Sequence, residues 1–155
     1  MTFRTLARVV VYDINSQRIL LIRNKDTDFW YVPGGGWEYE KESILECGVR
    51  EVKEETGLDI ITDKFMYLRE YHESSEKIFF ETFWLAHPKN TADLNKDHVD
   101  IDPNGKVEEA KWFTQQELSG LTIFPEFLKS KFWSDVEKIG NDEDRFIGKR
   151  NRRNT

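Results

Sequence analysis

Nothing in this chain restricts its fold more than the run Pro33-Gly34-Gly35-Gly36 followed closely by a helix that is marked at both ends. The run is the strongest breaker in the sequence, because proline fixes its own φ while glycine permits left-handed turns and close backbone approach. Ser43, with Glu46 three residues later, forms a capping box in which each side chain accepts the other residue's backbone N–H. Gly57 followed by Leu58 supplies the stop, with glycine in the left-handed position and leucine as its hydrophobic contact. The punctuation predicts a helix over Ser43 to Thr56, set directly behind a glycine turn.

On a wheel of roughly 100° per residue, Leu45, Val49, Val52 and Thr56 form a core-facing stripe. Glu51, Glu54 and Glu55 gather on the other side. The like-charged pair Glu51/Glu55 at i, i+4 costs the helix a few tenths of a kcal/mol, about 0.2–0.5. A solvated acidic face is the ordinary use of such a pattern, and two features argue against it here. Cys47 and Gly48 share the sector with the glutamates, small where a solvated face holds long polar chains, so something approaches that face closely. The glycine turn also brings backbone carbonyls and amides beside the carboxylates. Carboxylates grouped with a carbonyl make an oxygen-rich site for a hard cation, Mg²⁺ with Mn²⁺ as the alternative.

The segment from Gly36 to Leu58 resembles the Nudix box, G-x5-E-x7-R-E-U-x-E-E-x-G-U with U aliphatic. It matches at Gly36, Glu42, Arg50, Glu51, Val52, Glu54, Glu55, Gly57 and Leu58. Trp30-Tyr31-Val32-Pro33-Gly34-Gly35 is similar to the approach that precedes the box in MutT-like pyrophosphohydrolases, and Glu109 to Phe113 with Glu117-Leu118 resembles their later strand and short helix. The resemblance implies an α/β fold, an α/β/α sandwich with a central mixed sheet, the box helix on one face and the carboxy-terminal helix on the other. It implies Glu51, Glu54, Glu55 and the Gly36 carbonyl as metal ligands, and Glu42 as an outer metal group. Glu51, Glu54 and Arg50 become the catalytic set, with Arg50 orienting Glu51 by a charge-assisted hydrogen bond.

The implied reaction is metal-dependent hydrolysis of a diphosphate bond in a nucleoside diphosphate linked to another moiety. A nucleotide triphosphate, a nucleotide sugar and a dinucleoside polyphosphate all remain open. Glu51 is the first choice of general base, with Asp97 and Glu108 as alternatives. One departure matters: where MutT-like members place a glutamate after F-W-L-x, this chain has His87 after Phe83-Trp84-Leu85-Ala86. Glu81 on the same strand is the alternative carboxylate. Trp37, Tyr39, His72, Trp84 and His87 are the candidate substrate contacts, with Trp30, Tyr31, Phe80 and Tyr71 beside them, although most aromatic residues of a small domain are core. The rival function class is a catalytically silent nucleotide-binding or regulatory module of the same fold.

The remaining chain reads as strands at Leu6 to Tyr12, Arg18 to Ile22 and Val107 to Phe113, and a hairpin of Phe65 to His72 with Lys77 to His87. A long loop from Pro88 to Lys106 joins the hairpin to the strand Val107 to Phe113. Thr114 caps a short helix, Phe127 to Ile139 forms a closing amphipathic helix, and Lys149 to Thr155 is a basic tail expected to be disordered. Residues 1–148 are expected to form one domain, and 38% hydrophobic residues with 14% aromatics suffice for its core. A net charge of −6 is no footprint for duplex nucleic acid. No apolar run approaches the roughly 20 residues of a membrane span. The single cysteine, Cys47, fits a reducing, cytoplasmic setting. A homodimer stays open.

Overall fold

The structure is a computed structural model that describes residues 1–91, 102–139 and 145–149. Candidate bases such as Asp97, the middle of the expected long loop and almost all of the basic tail lie outside the described residues. In chain order the elements are β1 (Thr2–Asp13), β2 (Arg18–Asn24), β3 (Trp30–Tyr31), β4 (Gly34–Gly36), α1 (Ile44–Thr56), β5 (Ile60–Ser74) and β6 (Lys77–Pro88). They continue with β7 (Val107–Thr114), α2 (Gln115–Leu118), β8 (Ile123–Phe124) and α3 (Lys131–Lys138).

The sheet is mixed, with the order β5-β6-β1-β2-β3-β8, β4 paired to β1 and β7 paired to β2. Strand β1 is its spine. It runs parallel to β6 from Thr2↔Lys77 to Val11↔Ala86, and pairs antiparallel with β4 at Leu6↔Gly36, Ala7↔Gly35 and Arg8↔Gly34. Because successive strand side chains point to opposite faces, β1 and β2 each divide their apolar residues between two cores. Val10, Ile19 and Leu21 pack with Leu128, Phe132 and Trp133 on the α3 side. Val9, Val11, Leu20 and Ile22 pack with Val52 and Leu58 on the α1 side. The sandwich expected from the sequence is the observed fold.

Helix α1 has the predicted ends. Ser43 Oγ accepts from the Glu46 N–H at 3.2 Å, Glu46 Oε1 accepts from the Ser43 N–H at 2.9 Å, and Gly57 takes φ 75°. Its buried arc differs from the expected stripe. Cys47, Gly48, Val52 and Thr56 are buried, whereas Val49 is exposed and Leu45 only half-buried. The helix is rotated because its small side settles on β1, where a Cβ on Gly48 would come 3.0 Å from Val9 Cγ2. The close approach inferred from Cys47 and Gly48 is therefore made by the chain's own strand. The closing helix also differs: a 3-10 turn at Glu126–Lys129 precedes α3. The break falls at Ser130, whose φ of −138° leaves helical space, and the Lys129 carbonyl instead accepts from Gln115 Nε2 at 3.1 Å.

Candidate active site

A cavity of about 580 Å³ opens where the sheet splays, between the β5-β6-β1-β4 side and the β3-β8 side. Its walls include the backbone of Gly34, Gly35 and Gly36, and Glu51, Glu54 and Glu55 of α1 line it. These two groups meet because β4 lies over the acidic part of the helix. A Cβ on Gly35 would fall 2.5 Å from the Glu51 carboxylate, so only glycine lets that carboxylate rest on the strand. Glu55 Oε1 accepts from the Gly34 N–H at 2.7 Å and ties the turn to the helix.

Arg50 organises the carboxylates around it. It donates from Nε to Glu42 Oε1 at 2.7 Å and from Nη2 to Glu42 Oε2 at 2.9 Å, a bidentate pair. Its Nη1 donates to Glu51 Oε1 at 3.0 Å and to Glu54 at 3.3 Å, and Nη2 reaches the Gly36 carbonyl at 3.3 Å. The guanidinium beside Glu42 holds that carboxyl down at about 2, and the carboxylates in turn raise Arg50. Glu51 and Glu55 shift the other way. Desolvation is the leading cause for both, and it pushes Glu55 up to about 8. Burial likewise pushes the Cys47 thiol up to about 12, far from the reactive range.

Partly buried carboxylates next to a backbone carbonyl form an all-oxygen donor set that suits a hard divalent cation in kind. Among the described residues, however, no three His, Cys, Asp or Glu side chains already converge as such a site. Glu51 and Glu54 face Arg50, and Glu55 faces the Gly34 amide. Closing all three on one ion requires side-chain rotation away from these partners.

The structure scatters the other candidates. Trp84 is buried against Ala7 and Cys47, with its Nε1–H on Thr82 Oγ1 at 2.8 Å. Trp37 donates to the Glu42 carbonyl at 2.9 Å and packs edge-on to the exposed Tyr39. His87 pairs with Asp63 at 2.8 Å, and His72 pairs with Glu70. None of these five lines the cavity. Strand alternation explains one of the absences: Tyr71 faces the cavity, so its neighbour His72 cannot. Glu108 pairs with Arg23 at 2.7 Å, outside the cavity.

Beyond the box, sequence reasoning reached Tyr31, Tyr71 and Glu81 and missed the rest of the lining. Phe29, Tyr31 and Phe124 form an aromatic wall with Asn24, whose Oδ1 accepts from the Tyr31 hydroxyl at 2.5 Å. On the opposite side stand Arg4, Leu6, Arg8, Arg69, Tyr71, Phe79 and Glu81. Glu81, 3% exposed, accepts from Arg8 Nε at 3.2 Å and from Arg69 Nη2 at 2.7 Å. Both its oxygens are thus held by guanidiniums. A charged residue within the apolar run from Leu6 to Tyr12 was the available signal, since Arg8 shares a face with Leu6.

The NUDIX domain model matches residues 2–133. A Bacillus subtilis (strain 168) protein named "Putative 8-oxo-dGTP diphosphatase" is 39% identical over 67 residues, 42% of this chain and 44% of that protein. The dihydroneopterin triphosphate diphosphatase of Escherichia coli (strain K12) is 37% identical over 57 residues, 36% of this chain and 37% of that protein. The alignments therefore span less than half the length of these curated relatives. Among solved structures, a NUDIX hydrolase from Nitrosomonas europaea superposes with TM-score 0.68 at 18% identity, covering 97% of this chain and 98% of that one.

Proposed function

The chain belongs to the NUDIX domain family, and on that premise we propose that it is a divalent-metal-dependent hydrolase. Its substrate is a nucleoside diphosphate linked to a further moiety, cut at the phosphoanhydride bond. The observation that carries this reading is the meeting of Glu51, Glu54 and Glu55 with the Gly34–Gly36 strand at one wall of the cavity. Both curated relatives named above are diphosphatases by name, which supports a phosphoanhydride as the target.

Glu51, Glu54, Glu55 and the Gly36 carbonyl would hold Mg²⁺ or Mn²⁺. Such an ion lowers the pKa of an attacking water and offsets phosphate charge. Arg50 keeps Glu51 and Glu54 in place, and Glu42 fixes Arg50 through its two bonds. In the step itself, a water oxygen bonds to phosphorus while the bridging P–O bond breaks. The electron pair of that bond leaves on the departing phosphate, and Glu51 takes the water's proton. The aromatic wall of Phe29, Tyr31 and Phe124 offers a stacking surface for a base.

The test is phosphate release from a panel of nucleoside triphosphates, nucleotide sugars and dinucleoside polyphosphates, with a coupling phosphatase. Cleavage of one class with Mg²⁺ or Mn²⁺, abolished by EDTA, is the expected result. Folded protein that cleaves nothing on the panel with either metal would remove the hydrolase reading in favour of a binding module.

A further inference from the structure

We propose that Arg4, Arg8 and Arg69 form a subsite for a phosphate group of the substrate beyond the bond that is cut. The substrate class is then a nucleoside triphosphate or longer polyphosphate, rather than a nucleoside diphosphate joined to a neutral sugar. The choice of class rests on the hydrolase reading above; the anion subsite itself does not.

The three arginines reach one wall by register. Arg4, Leu6 and Arg8 alternate onto the same face of β1. Across the sheet Leu6 stands opposite Glu81, and Glu81 stands opposite Arg69; Arg4 and Tyr71 both flank Phe79. Glu81 lies at the centre of this face and is buried, so it needs a cationic partner. One would suffice to neutralise it, and it has two. Arg69 places Nε and Nη2 on Oε1 at 2.9 and 2.7 Å, and Arg8 places Nε on Oε2 at 3.2 Å. The triad keeps a net positive charge. Among the described residues, Arg8 Nη2 and Arg69 Nη1 donate to no other group.

The other carboxylates of the wall are already engaged. Glu73 pairs with Lys77 at 3.1 Å, and Asp102 accepts the backbone N–H groups of Asn104, Lys106 and Val107 at 3.0 to 3.1 Å. Arg4 has no carboxylate partner among the described residues. Its guanidinium lies against the glycine turn, where a Cβ on Gly36 would fall 1.8 Å from Nη2. Lys106 adds a further cation to the lining. In a chain of net charge −6, this concentration of guanidinium groups beside the acidic helix is a local reversal of sign. Planar guanidinium forks match phosphate oxygens in pairs, and a neutral sugar offers them nothing comparable. Glu81 acts as a positioning residue that aims Arg8 and Arg69.

Two measurements test this. The first compares kcat/KM for a nucleoside triphosphate with that for a nucleoside diphosphate hexose, in the wild-type chain and in Arg4→Ala and Arg69→Gln. The ratio should favour the triphosphate and fall about tenfold or more in each variant, carried by KM. Preference for the hexose compound, or a ratio unmoved by both substitutions, overturns the substrate class. The second is calorimetric titration of the EDTA-treated chain with inorganic tripolyphosphate. Binding should weaken about tenfold or more in both variants. No binding, or binding indifferent to both substitutions, overturns the subsite. Arginine-dependent tripolyphosphate binding by a chain that cleaves nothing would uphold the subsite while removing the hydrolase reading.

Discussion

Replacing Glu54 by glutamine should cut turnover by about a thousandfold or more, equivalent to about 4 kcal/mol of barrier, while leaving the fold intact. The substitution conserves volume and removes one negative charge from the cavity wall. Structurally Glu54 has little to lose. It is partly exposed, and its only hydrogen bonds among the described residues are the 3.3 Å contacts from Arg50 one turn earlier. An exposed i, i+4 ion pair of that kind contributes about 0.3–0.5 kcal/mol. Arg50 keeps its bidentate grip on Glu42, so it stays in place. Catalytically the loss is large, since a divalent ion that neutralises phosphate charge is held by few formal charges, and an amide oxygen replaces one of them. Near-normal turnover, measured with thermal melting to verify folding, would remove Glu54 from the metal site.

Gly34→Ala should destabilise the chain by about 4 kcal/mol, from backbone strain and overpacking together. Gly34 sits at φ 148°, a region that side chains avoid. An added Cβ would also lie 2.1 Å from the Ala7 carbonyl oxygen and 2.8 Å from Arg8 Cα. Those are backbone atoms of β1, which is clamped by its long parallel ladder to β6 and cannot retreat. Strand β4 must move instead, which breaks the Gly34 N–H bond to Glu55 and lifts the turn from the helix. Chemical denaturation reads the effect as a lowered midpoint. A change under about 1 kcal/mol, the size of an ordinary surface substitution or little more, would show that β4 is not held as tightly as its register implies.

The helix was legible because its signals are local: a capping box and a terminal glycine depend on residues three or four apart. Its orientation was not. The wheel assigned the aliphatic residues inward and the glutamates outward, whereas packing chose the side bearing Gly48 and Cys47, which allows the closest approach to β1. Two glutamates were drawn partly under cover with it. The arginine wall was illegible for a different reason. Arg8 and Glu81 are brought together by the β1–β6 pairing across 73 positions, and Glu81 and Arg69 by the β5–β6 register. Glu81 could be named from the sequence as a spare carboxylate, but not as the anchor of two guanidiniums. Trp84 and Trp37 attracted attention as aromatics, and the structure uses their N–H groups for internal hydrogen bonds. The aromatic wall depends in part on the parallel pairing of β3 with β8, strands of two residues that carry almost no pattern of their own.

The metal site is tested most directly by electron paramagnetic resonance of Mn²⁺ titrated into the wild-type chain and into Glu51→Gln. Glu51 rests against Gly35 and is held by Arg50, at the point where helix and glycine strand meet. The wild-type chain should remove the free-ion signal as a site fills, and Glu51→Gln should weaken this binding by about 10-fold or more. Mn²⁺ binding that is equally tight in both chains, or absent from the folded wild type, would contradict the metal assignment.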